Sequence, residues 1–380
     1  MRDLVEIGMG RSARRAYDLH DIEIVPSRRT RTSQEVSTAW QLDAYRFEIP
    51  LVTHPTDAIV SPATAVRIGQ LGGLGVLNAE GLWARHADPE AMLARVVEAS
   101  EGDIEEGGVP AAVRLLQELH TAPIQPDLLA EALRPAREAG VTVAARVSPQ
   151  RARELTPHLL AAGVEILFVQ GTIISAEHVS HAAAEPLNLK QFIADLDVPV
   201  VAGGVGDYRT AMHLMRTGAA GVLVGYGESL ATTTDAVLGI GVPMATAIVD
   251  AAAARRDYLD ETGGRYVHVI ADGGIFGSGD IAKAIACGAD AVMLGEQLAD
   301  ADDSPASGLY WTPAAAHPSL PRSEVIGLEP RGRDLETVLF GPSDWPDGTI
   351  NLFGALRRAM AKTGYSDLKE FQRVGLTIRR

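Results

Sequence analysis

Short apolar runs separated by alanine-rich segments recur along this chain of 380 residues. The runs are nearly continuous in hydrophobicity rather than alternating, which is typical of strands buried on both faces of a parallel sheet. Eight strands are predicted, at residues 49–53, 74–77, 141–147, 166–169, 198–202, 221–224, 267–271 and 291–294.

Segments with helical patterning lie between these runs, and several end at a glycine in the position of a C-terminal cap. Helices are predicted at residues 63–70, 128–139, 151–162, 208–217 and 281–286. The order helix, glycine, strand predicts an α/β fold in which helical crossovers join the strands of a parallel sheet. Eight strands fit a closed (β/α)8 TIM barrel, and a doubly wound open sheet is the alternative.

Two stretches do not follow this alternation of predicted strands and helices. Residues 101–125 form a short acidic excursion with one predicted helix at Ala111–Leu119. Residues 299–345 are rich in Pro, Gly, Asp and Ser, and a stretch of this length without periodicity indicates a flap or an oligomer contact. An ordered surface excursion is an equally good interpretation. Helices are also predicted at residues 351–363 and 366–371.

Composition narrows the class of protein. The 34 basic and 49 acidic residues give a net charge of −15, so a nucleic acid is an unfavourable partner. The chain contains neither a signal-peptide pattern nor a run of 18 apolar residues, and we expect a cytoplasmic protein that does not bind membranes. Cys287 is the single cysteine, which excludes an intramolecular disulfide and a cysteine-built zinc site. No metal site is predicted.

The candidate chemistry lies at the C-terminal ends of the last two strands, where barrels commonly bind phosphate. Asp272, Gly273 and Gly274 follow the seventh strand, and Gly295 and Glu296 follow the eighth. Glycines there allow a phosphate to approach backbone N–H groups, and Asp272 could accept hydrogen bonds from ribose hydroxyls. Alternatively, the two glycines only turn the chain and Asp272 caps the following helix.

Six segments carry a resemblance to a known family. They are residues 49–81, 201–206, 218–227, 239–243, 271–298 (ADGGIFGSGDIAKAIACGADAVMLGEQL) and 352–365. Together they resemble IMP dehydrogenase and GMP reductase, which implies a purine-mononucleotide ligand, NAD as cofactor, a role in GMP biosynthesis and a cyclic homotetramer. Only residues 101–125 stand where the family carries its CBS pair, so we expect residues 1–380 to form one barrel without CBS domains.

The chain departs from this family at the catalytic cysteine, which attacks the purine. That position falls on Leu230 when counted from the preceding glycines and on Thr232 when counted back from Pro243. A threonine hydroxyl needs an adjacent base, and Glu228, Asp235 and His54 are the candidates for one. The alternative is that one of Thr232–Thr234 simply caps the next helix.

Other site residues follow from the resemblance alone. It implies that Gly227, Ser229 and Thr56 contact the nucleotide, with Thr56 standing where the family has a base-stacking methionine. Gln170 stands at the family's nicotinamide-contacting aspartate, and Glu296 replaces a phosphate-binding serine.

Three weaker assignments also follow from the resemblance. Gly203 and Gly225 belong to the expected cofactor-binding group. Arg331 loosely matches the arginine that activates water, with a solvated surface charge as the alternative.

Three hypotheses result. The chain is an IMP dehydrogenase-related oxidoreductase without the usual nucleophile, a non-catalytic nucleotide-binding regulator or assembly partner, or an FMN-dependent barrel oxidoreductase that uses the same phosphate loops.

Overall fold

Eight parallel strands form the centre of the molecule in a computed structural model that describes residues 4–101, 109–179, 186–329 and 331–379. The strands are β1 (Leu51–Thr53), β2 (Val76–Asn78), β3 (Ala144–Val147), β4 (Ile166–Gln170), β5 (Val200–Val205), β6 (Gly221–Glu228), β7 (His268–Gly273) and β8 (Ala291–Leu294). Each pairs with its neighbour in sequence from β2 to β8, and β8 pairs with β1. A bridge between Val52 and Leu74 closes the ring. The predicted (β/α)8 barrel is therefore confirmed, and the open sheet is excluded.

Helices surround this barrel. They are α1 (Pro62–Gln70), α2 (Pro89–Ser100), α3 (Ala111–Leu119), α4 (Pro126–Glu138), α5 (Ala152–Ala161), α6 (Leu189–Ala194), α7 (Tyr208–Met215), α8 (Thr234–Leu238), α9 (Met244–Thr262), α10 (Ser278–Cys287), α11 (Leu335–Phe340), α12 (Leu352–Lys362) and α13 (Leu368–Phe371). Helix α3 coincides with the helix predicted in the acidic excursion, of which residues 102–108 lie outside the described residues. No helix in the described part of the chain is long and apolar enough to cross a membrane.

Most predicted bounds differ from the observed ones by one to three residues, but β6 continues four residues further, to Glu228. Its predicted end at residue 224 was wrong because Gly225 and Gly227, which adopt positive φ angles, continue the extended chain instead of turning it. A larger omission is the 19-residue helix α9, in which nine positions are buried and five of these nine are alanines. Alanine is only weakly hydrophobic, so the buried and exposed faces of α9 differ little in hydrophobicity and its amphipathic pattern is weak.

The N-terminal end of the barrel contains a buried ionic cluster. Asp290 accepts hydrogen bonds from Arg255 (2.7 Å), from the Tyr266 hydroxyl (2.9 Å) and from Lys369. It also accepts from the backbone N–H of Val269 at 2.9 Å. Burial acts to raise the pKa of Asp290, but the two cations hold it below its usual value. This carboxylate links α9, β7 and α13.

The region at residues 299–345 covers the opposite end. Its strands Leu309–Tyr310 and Ile326–Gly327 pair antiparallel, with a 3-10 helix at Pro313–Ala316 between them. The Thr56 hydroxyl donates to the carbonyl of Trp311 at 2.7 Å, so the segment is fixed above β1. Pro330 lies outside the described residues. Because Tyr310 and Trp311 are fully buried, the part of the region around them covers the barrel mouth, whereas residues 317–320 and 342–347 are exposed.

Candidate functional site

Side chains from four strand ends meet inside the barrel mouth. His54 follows β1, Arg146 lies on β3, Gln170 ends β4 and Asp272 lies near the end of β7. They line a cavity of about 60 Å³. This space holds about two water molecules, at roughly 30 Å³ each. Residues 312–314 of the covering segment also line it, so the cover forms part of its wall.

Gln170 and Asp272 form the polar centre of this cavity. The Gln170 amide nitrogen donates to Asp272 Oδ2 at 2.9 Å, and its carbonyl oxygen Oε1 is buried without a partner in the described structure. Burial raises the pKa of Asp272 to about 7, the bond from Gln170 opposes this shift, and the charge of Glu228 adds to it. Asp272 does not cap α10, whose N-cap residue is Gly277. The capping alternative for Asp272 is therefore wrong.

His54 and Arg146 line the same cavity. Burial, and then the charge of Arg146, lowers the pKa of His54 to about 3, so the ring is neutral. Its Nδ1 is buried without a hydrogen-bond partner among the described residues. Arg146 donates to the carbonyl of Gln170 at 2.8 Å and pairs with Glu80 at 3.5 Å. The sequence analysis missed Arg146, although a single arginine inside an apolar strand was a usable signal.

Thr232 lies in the loop after β6, and its hydroxyl is used locally. It donates to the carbonyl of Gly227 at 2.5 Å and lies 2.9 Å from the Ser229 hydroxyl. Thr233 is the N-cap residue of α8, but its side chain makes no capping hydrogen bond. The alternative interpretation, that one of Thr232–Thr234 caps this helix, is therefore confirmed for the position of the cap but not for a side-chain hydrogen bond.

The three candidate bases do not contact Thr232 as a base would. Glu228 Oε1 accepts from the N–H of Val242 at 3.0 Å. Among the described residues, no carboxylate or imidazole forms a hydrogen bond with the Thr232 hydroxyl. The loop is instead fixed against the covering segment, because the backbones of Thr232 and Ser323 form an antiparallel β-bridge. A nucleophilic threonine therefore lacks its activating partner in this arrangement.

Three backbone amides in the loops after β6, β7 and β8 donate to acceptors within the chain. The N–H of Gly274 donates to the carbonyl of Glu228 at 2.9 Å, and that of Gly295 donates to Gln297 Oε1 at 3.1 Å. The N–H of Leu230 donates to Glu296 Oε2 at 2.7 Å. Three amides close to the expected phosphate position therefore already have acceptors within the chain.

Glu296 and Tyr310 fill the space at the end of β8. Glu296 is 6% exposed, and burial raises its pKa to about 7 against the opposing bond from Leu230. The Tyr310 hydroxyl lies directly over Gly295, where a Cβ atom would come within 2.2 Å of it. Burial raises the pKa of Tyr310 well above its usual value, so the phenol is neutral. Tyr310 was not predicted, because it enters the site from a segment without a recognisable pattern.

Gly273 and Gly274 both have positive φ angles and turn the chain close to Glu228. A Cβ atom on Gly273 would lie 2.4 Å from the backbone nitrogen of Glu228. Gly203 and Gly225 lie in the barrel wall, where added Cβ atoms would meet Leu223 and the carbonyl of Asp272. Neither wall glycine lines the cavity that contains Gln170.

Two open clefts flank the loop after β6. A cleft of about 540 Å³ lies beside Thr232 and Ser229, and Glu228 lines it. A second cleft, of about 580 Å³, contains Arg331 and Glu296.

Arg331 pairs with Asp300 (3.5 Å) and Asp347 (3.4 Å). It is therefore not a free solvated charge. The two predicted catalytic residues, Thr232 and Arg331, line different cavities of the described structure.

Cys287 lies at the C-terminal end of α10, at the end of the barrel opposite the site. It is buried, and burial raises the pKa of its thiol to about 12. A thiol in this state is not a nucleophile at neutral pH.

These features define the class of protein as a (β/α)8 barrel whose covered C-terminal mouth contains both carboxylates and arginines. Residues 16–315 match the model of the IMP dehydrogenase / GMP reductase domain, and the chain belongs to this family.

Relatives with similar sequences extend this assignment. An uncharacterised oxidoreductase of Mycolicibacterium smegmatis is 66% identical over 377 residues, covering 99% of this chain and all of the relative. The inosine-5'-monophosphate dehydrogenase of Rhizobium tropici is 33% identical over 246 residues, covering 60% of this chain and 46% of that enzyme.

A crystal structure of an IMP dehydrogenase/GMP reductase-like protein from Corynebacterium glutamicum is similar throughout. It superimposes with a TM-score of 0.93 at 55% identity, covering 99% of this chain and 98% of that one. The predicted family is therefore confirmed.

Proposed function

We propose that this chain binds a purine ligand reversibly at the mouth of the barrel and does not form a covalent intermediate with it. The observation that carries the proposal is the state of Thr232, whose hydroxyl donates to the carbonyl of Gly227. No described carboxylate or imidazole is bonded to that hydroxyl, and Cys287 is buried at the other end. Family membership supports a purine as the ligand class.

The cofactors that the family and the fold suggest fit this arrangement poorly. The cavity of about 60 Å³ that contains Gln170, which stands at the family's nicotinamide-contacting position, is too small for a nicotinamide ring. Three amides of the loops that would hold an FMN phosphate, those of Gly274, Gly295 and Leu230, donate to acceptors of the chain instead. We therefore derive no hydride-transfer step through NAD or FMN.

A NAD-dependent oxidoreductase that works without a thiol is the second candidate. Two buried atoms that lack partners in the described structure, Gln170 Oε1 and His54 Nδ1, favour it. They offer hydrogen-bonding positions to a polar ring that reaches this cavity. The 66% identical relative from Mycolicibacterium smegmatis is named an oxidoreductase, which also supports this candidate.

A turnover assay with a parallel binding assay separates the two candidates. The protein at high concentration is incubated with IMP and NAD while NADH absorbance is followed. We expect no NADH, and we expect a purine nucleoside or nucleotide to raise the melting temperature. NADH formation that is lost in Thr232→Val would overturn the first proposal and establish a hydroxyl-assisted enzyme. A yellow purified protein would indicate bound FMN.

We also propose a homotetramer, as the resemblance implies. The hairpin formed by Leu4–Gly8 and Arg11–Arg14 supports association, because every residue of its two strands is exposed. Leu4 and Ile7 are among these residues, and Met9, in the turn between the two strands, is exposed as well. An isolated two-stranded hairpin is only marginally stable in water. Light scattering checks the proposal, and a monomeric mass for the full chain would contradict it.

A further inference from the structure

Positive charge is concentrated in one place on the outer wall of the barrel, although the chain as a whole carries a net charge of −15. Two segments without any acidic residue, 25–34 and 352–366, contain six basic residues. The second segment includes helix α12. The six residues, which together form the basic patch, are Arg28, Arg29, Arg31, Arg357, Arg358 and Lys362.

The two segments pack against each other at the C-terminal end of α12. The backbone N–H of Arg31 donates to the carbonyl of Ala361 at 2.8 Å, and its Nε donates to the carbonyl of Gly364 at 2.7 Å. Gly364 has a positive φ angle, and a Cβ atom there would lie 2.8 Å from the carbonyl oxygen of Arg29. The fold therefore brings the cations of both segments to the same part of the surface.

The cations of the basic patch are not paired with carboxylates. Among the described residues, no carboxylate lies within ion-pair distance of any of the six. The Nε of Arg357 is buried without a hydrogen-bond partner in the described part of the chain. Arg358 and Lys362 are exposed and lie four residues apart on α12, a spacing at which like charges destabilise a helix. The patch is therefore unfavourable for the isolated chain.

Glu35 and Glu370 lie beside the basic patch but do not neutralise it. Glu35 belongs to the 3-10 helix Ser33–Glu35, which packs against α12. The pKa of Glu370 is lowered first by hydrogen bonds from Ser366, and the charge of Arg31 contributes less. The positive charge of the patch therefore remains available to an external partner.

The dimensions of the patch favour a short acidic partner. Guanidinium groups donate in a fork that fits a carboxylate. Helix α12 has 11 residues and is therefore about 16 Å long, a length that about five residues of an extended chain would span. A longer polyanion such as a DNA duplex would continue beyond the patch over a surface of net negative charge. Because exposed charges act over about 8 Å at physiological ionic strength, that surface would repel it.

We propose that the basic patch is a docking surface for a short, extended segment of a partner protein that is rich in aspartate and glutamate. Carboxylates of the partner accept hydrogen bonds from the arginines, as in other proteins that recognise acidic motifs with clustered arginines. The patch lies on the outer wall and not at the barrel mouth, so this inference is independent of purine binding.

Fluorescence anisotropy with a labelled, end-capped peptide of five glutamates tests the inference on the full chain. We expect saturable binding that weakens as the ionic strength rises from about 0.05 M to about 0.5 M. A peptide of five glutamines should not bind. The double variant Arg28→Gln/Arg358→Gln should weaken binding of the glutamate peptide about tenfold or more, because it removes two of the six charges.

Arg209→Gln/Arg256→Gln is the matched control, because it removes two exposed positive charges from α7 and α9, outside the basic patch. Its affinity for the peptide should stay as in the unmodified protein. Equal weakening in both double variants would show that binding follows net charge alone, and the inference would be overturned. Absence of peptide binding would overturn it too.

Two further results would assign the patch to another partner and so contradict the inference. Tighter binding of a short DNA duplex than of the glutamate peptide would identify a nucleic-acid site. A change in oligomeric mass in Arg28→Gln/Arg358→Gln, measured by light scattering, with unchanged peptide affinity would show that the patch joins copies of this chain.

Discussion

A buried carboxylate has opposite electrostatic surroundings at the two ends of the barrel. At the N-terminal end, Asp290 is surrounded by Arg255 and Lys369, which lower its pKa despite burial. At the C-terminal end, Asp272 has only the neutral amide of Gln170 as a side-chain donor, and burial raises its pKa to about 7. Glu296 resembles Asp272 in this respect. The same chemical group is therefore compensated at one end and left uncompensated at the other.

This difference separates a structural role from a functional one. A carboxylate that binds two cations and a backbone amide stabilises the junction of helices and strands around it. A buried carboxylate without a cation costs free energy of folding, and strongly shifted pKa values of this kind are concentrated at binding and catalytic sites. The position agrees with the general rule for barrels, in which function lies at the C-terminal face and the opposite face contributes stability.

The largest expected effect is therefore at Asp290. Asp290→Asn leaves the buried guanidinium of Arg255 without its charged partner. We expect the free energy of unfolding to fall by about 3–5 kcal/mol, the usual loss when one partner of a buried ion pair is removed. Denaturant unfolding measures the loss. Asp272→Asn is the control and should change stability by less than about 1 kcal/mol or raise it, because it removes an unpaired charge. Equal losses in both variants would refute the contrast between the two ends.

A smaller effect is expected from the pH dependence of stability. The pKa of Glu296 is about 7 in the folded chain against an ordinary value of 4.5. Between these pH values the folded state holds a proton that the unfolded state releases, so stability falls as pH rises through this window. Glu296→Gln should flatten that fall and raise the free energy of unfolding at pH 8 by about 1–3 kcal/mol.

The measurement is a set of denaturation curves between pH 4 and pH 8. Asp57 and Asp272 also have pKa values raised to about 7, so part of the slope should remain in the Glu296 variant. If the slope of stability against pH were the same in the Glu296 variant as in the unmodified protein, Glu296 would be ionised in the folded state throughout the window. That result would contradict the expected protonation of Glu296 on folding.

The two ends also differ in how far the sequence predicted them. Buried strands and the glycines after β7 and β8 left clear patterns, and so the barrel, its closure and the position of Asp272 at the mouth were predicted. Tyr310 and Arg146 were missed, although both lie at the same mouth. Tyr310 comes from a segment without periodicity, so only the folded chain brings its hydroxyl against Gly295.

The hydrogen-bond partners and charge states of the buried carboxylates were equally hard to predict. The sequence placed Glu296 at the end of β8, but it did not show that its carboxylate accepts from the N–H of Leu230, a residue 66 positions away in the chain. Likewise, Asp290 appeared only as one residue in an apolar segment. Its partners come from α9 and α13, and pairing over such separations depends on the tertiary packing of helices rather than on local pattern.

The smallest expected effect is at Thr232. Its variant tests whether this hydroxyl at the barrel mouth contributes to ligand binding or only to stability, as a threonine hydroxyl elsewhere in the fold does. Thr232→Val removes a bond to the carbonyl of Gly227 and should lower the free energy of unfolding by about 1 kcal/mol. Thr363 is a matched control, because its hydroxyl donates to the carbonyl of Ala359 at 2.9 Å at the end of α12. Thr363→Val should cost a similar amount.

The two threonine variants should diverge only when ligand is present. Inosine should raise the melting temperature of Thr363→Val as much as that of the unmodified protein, since Thr363 lies outside both clefts beside the mouth. The rise should be smaller for Thr232→Val, because Thr232 lines the cleft that contains Glu228 and Tyr226. Equal rises in both variants would show that the Thr232 hydroxyl only fixes its own loop, and the ligand would then have to be sought further along the cleft, towards Asp18.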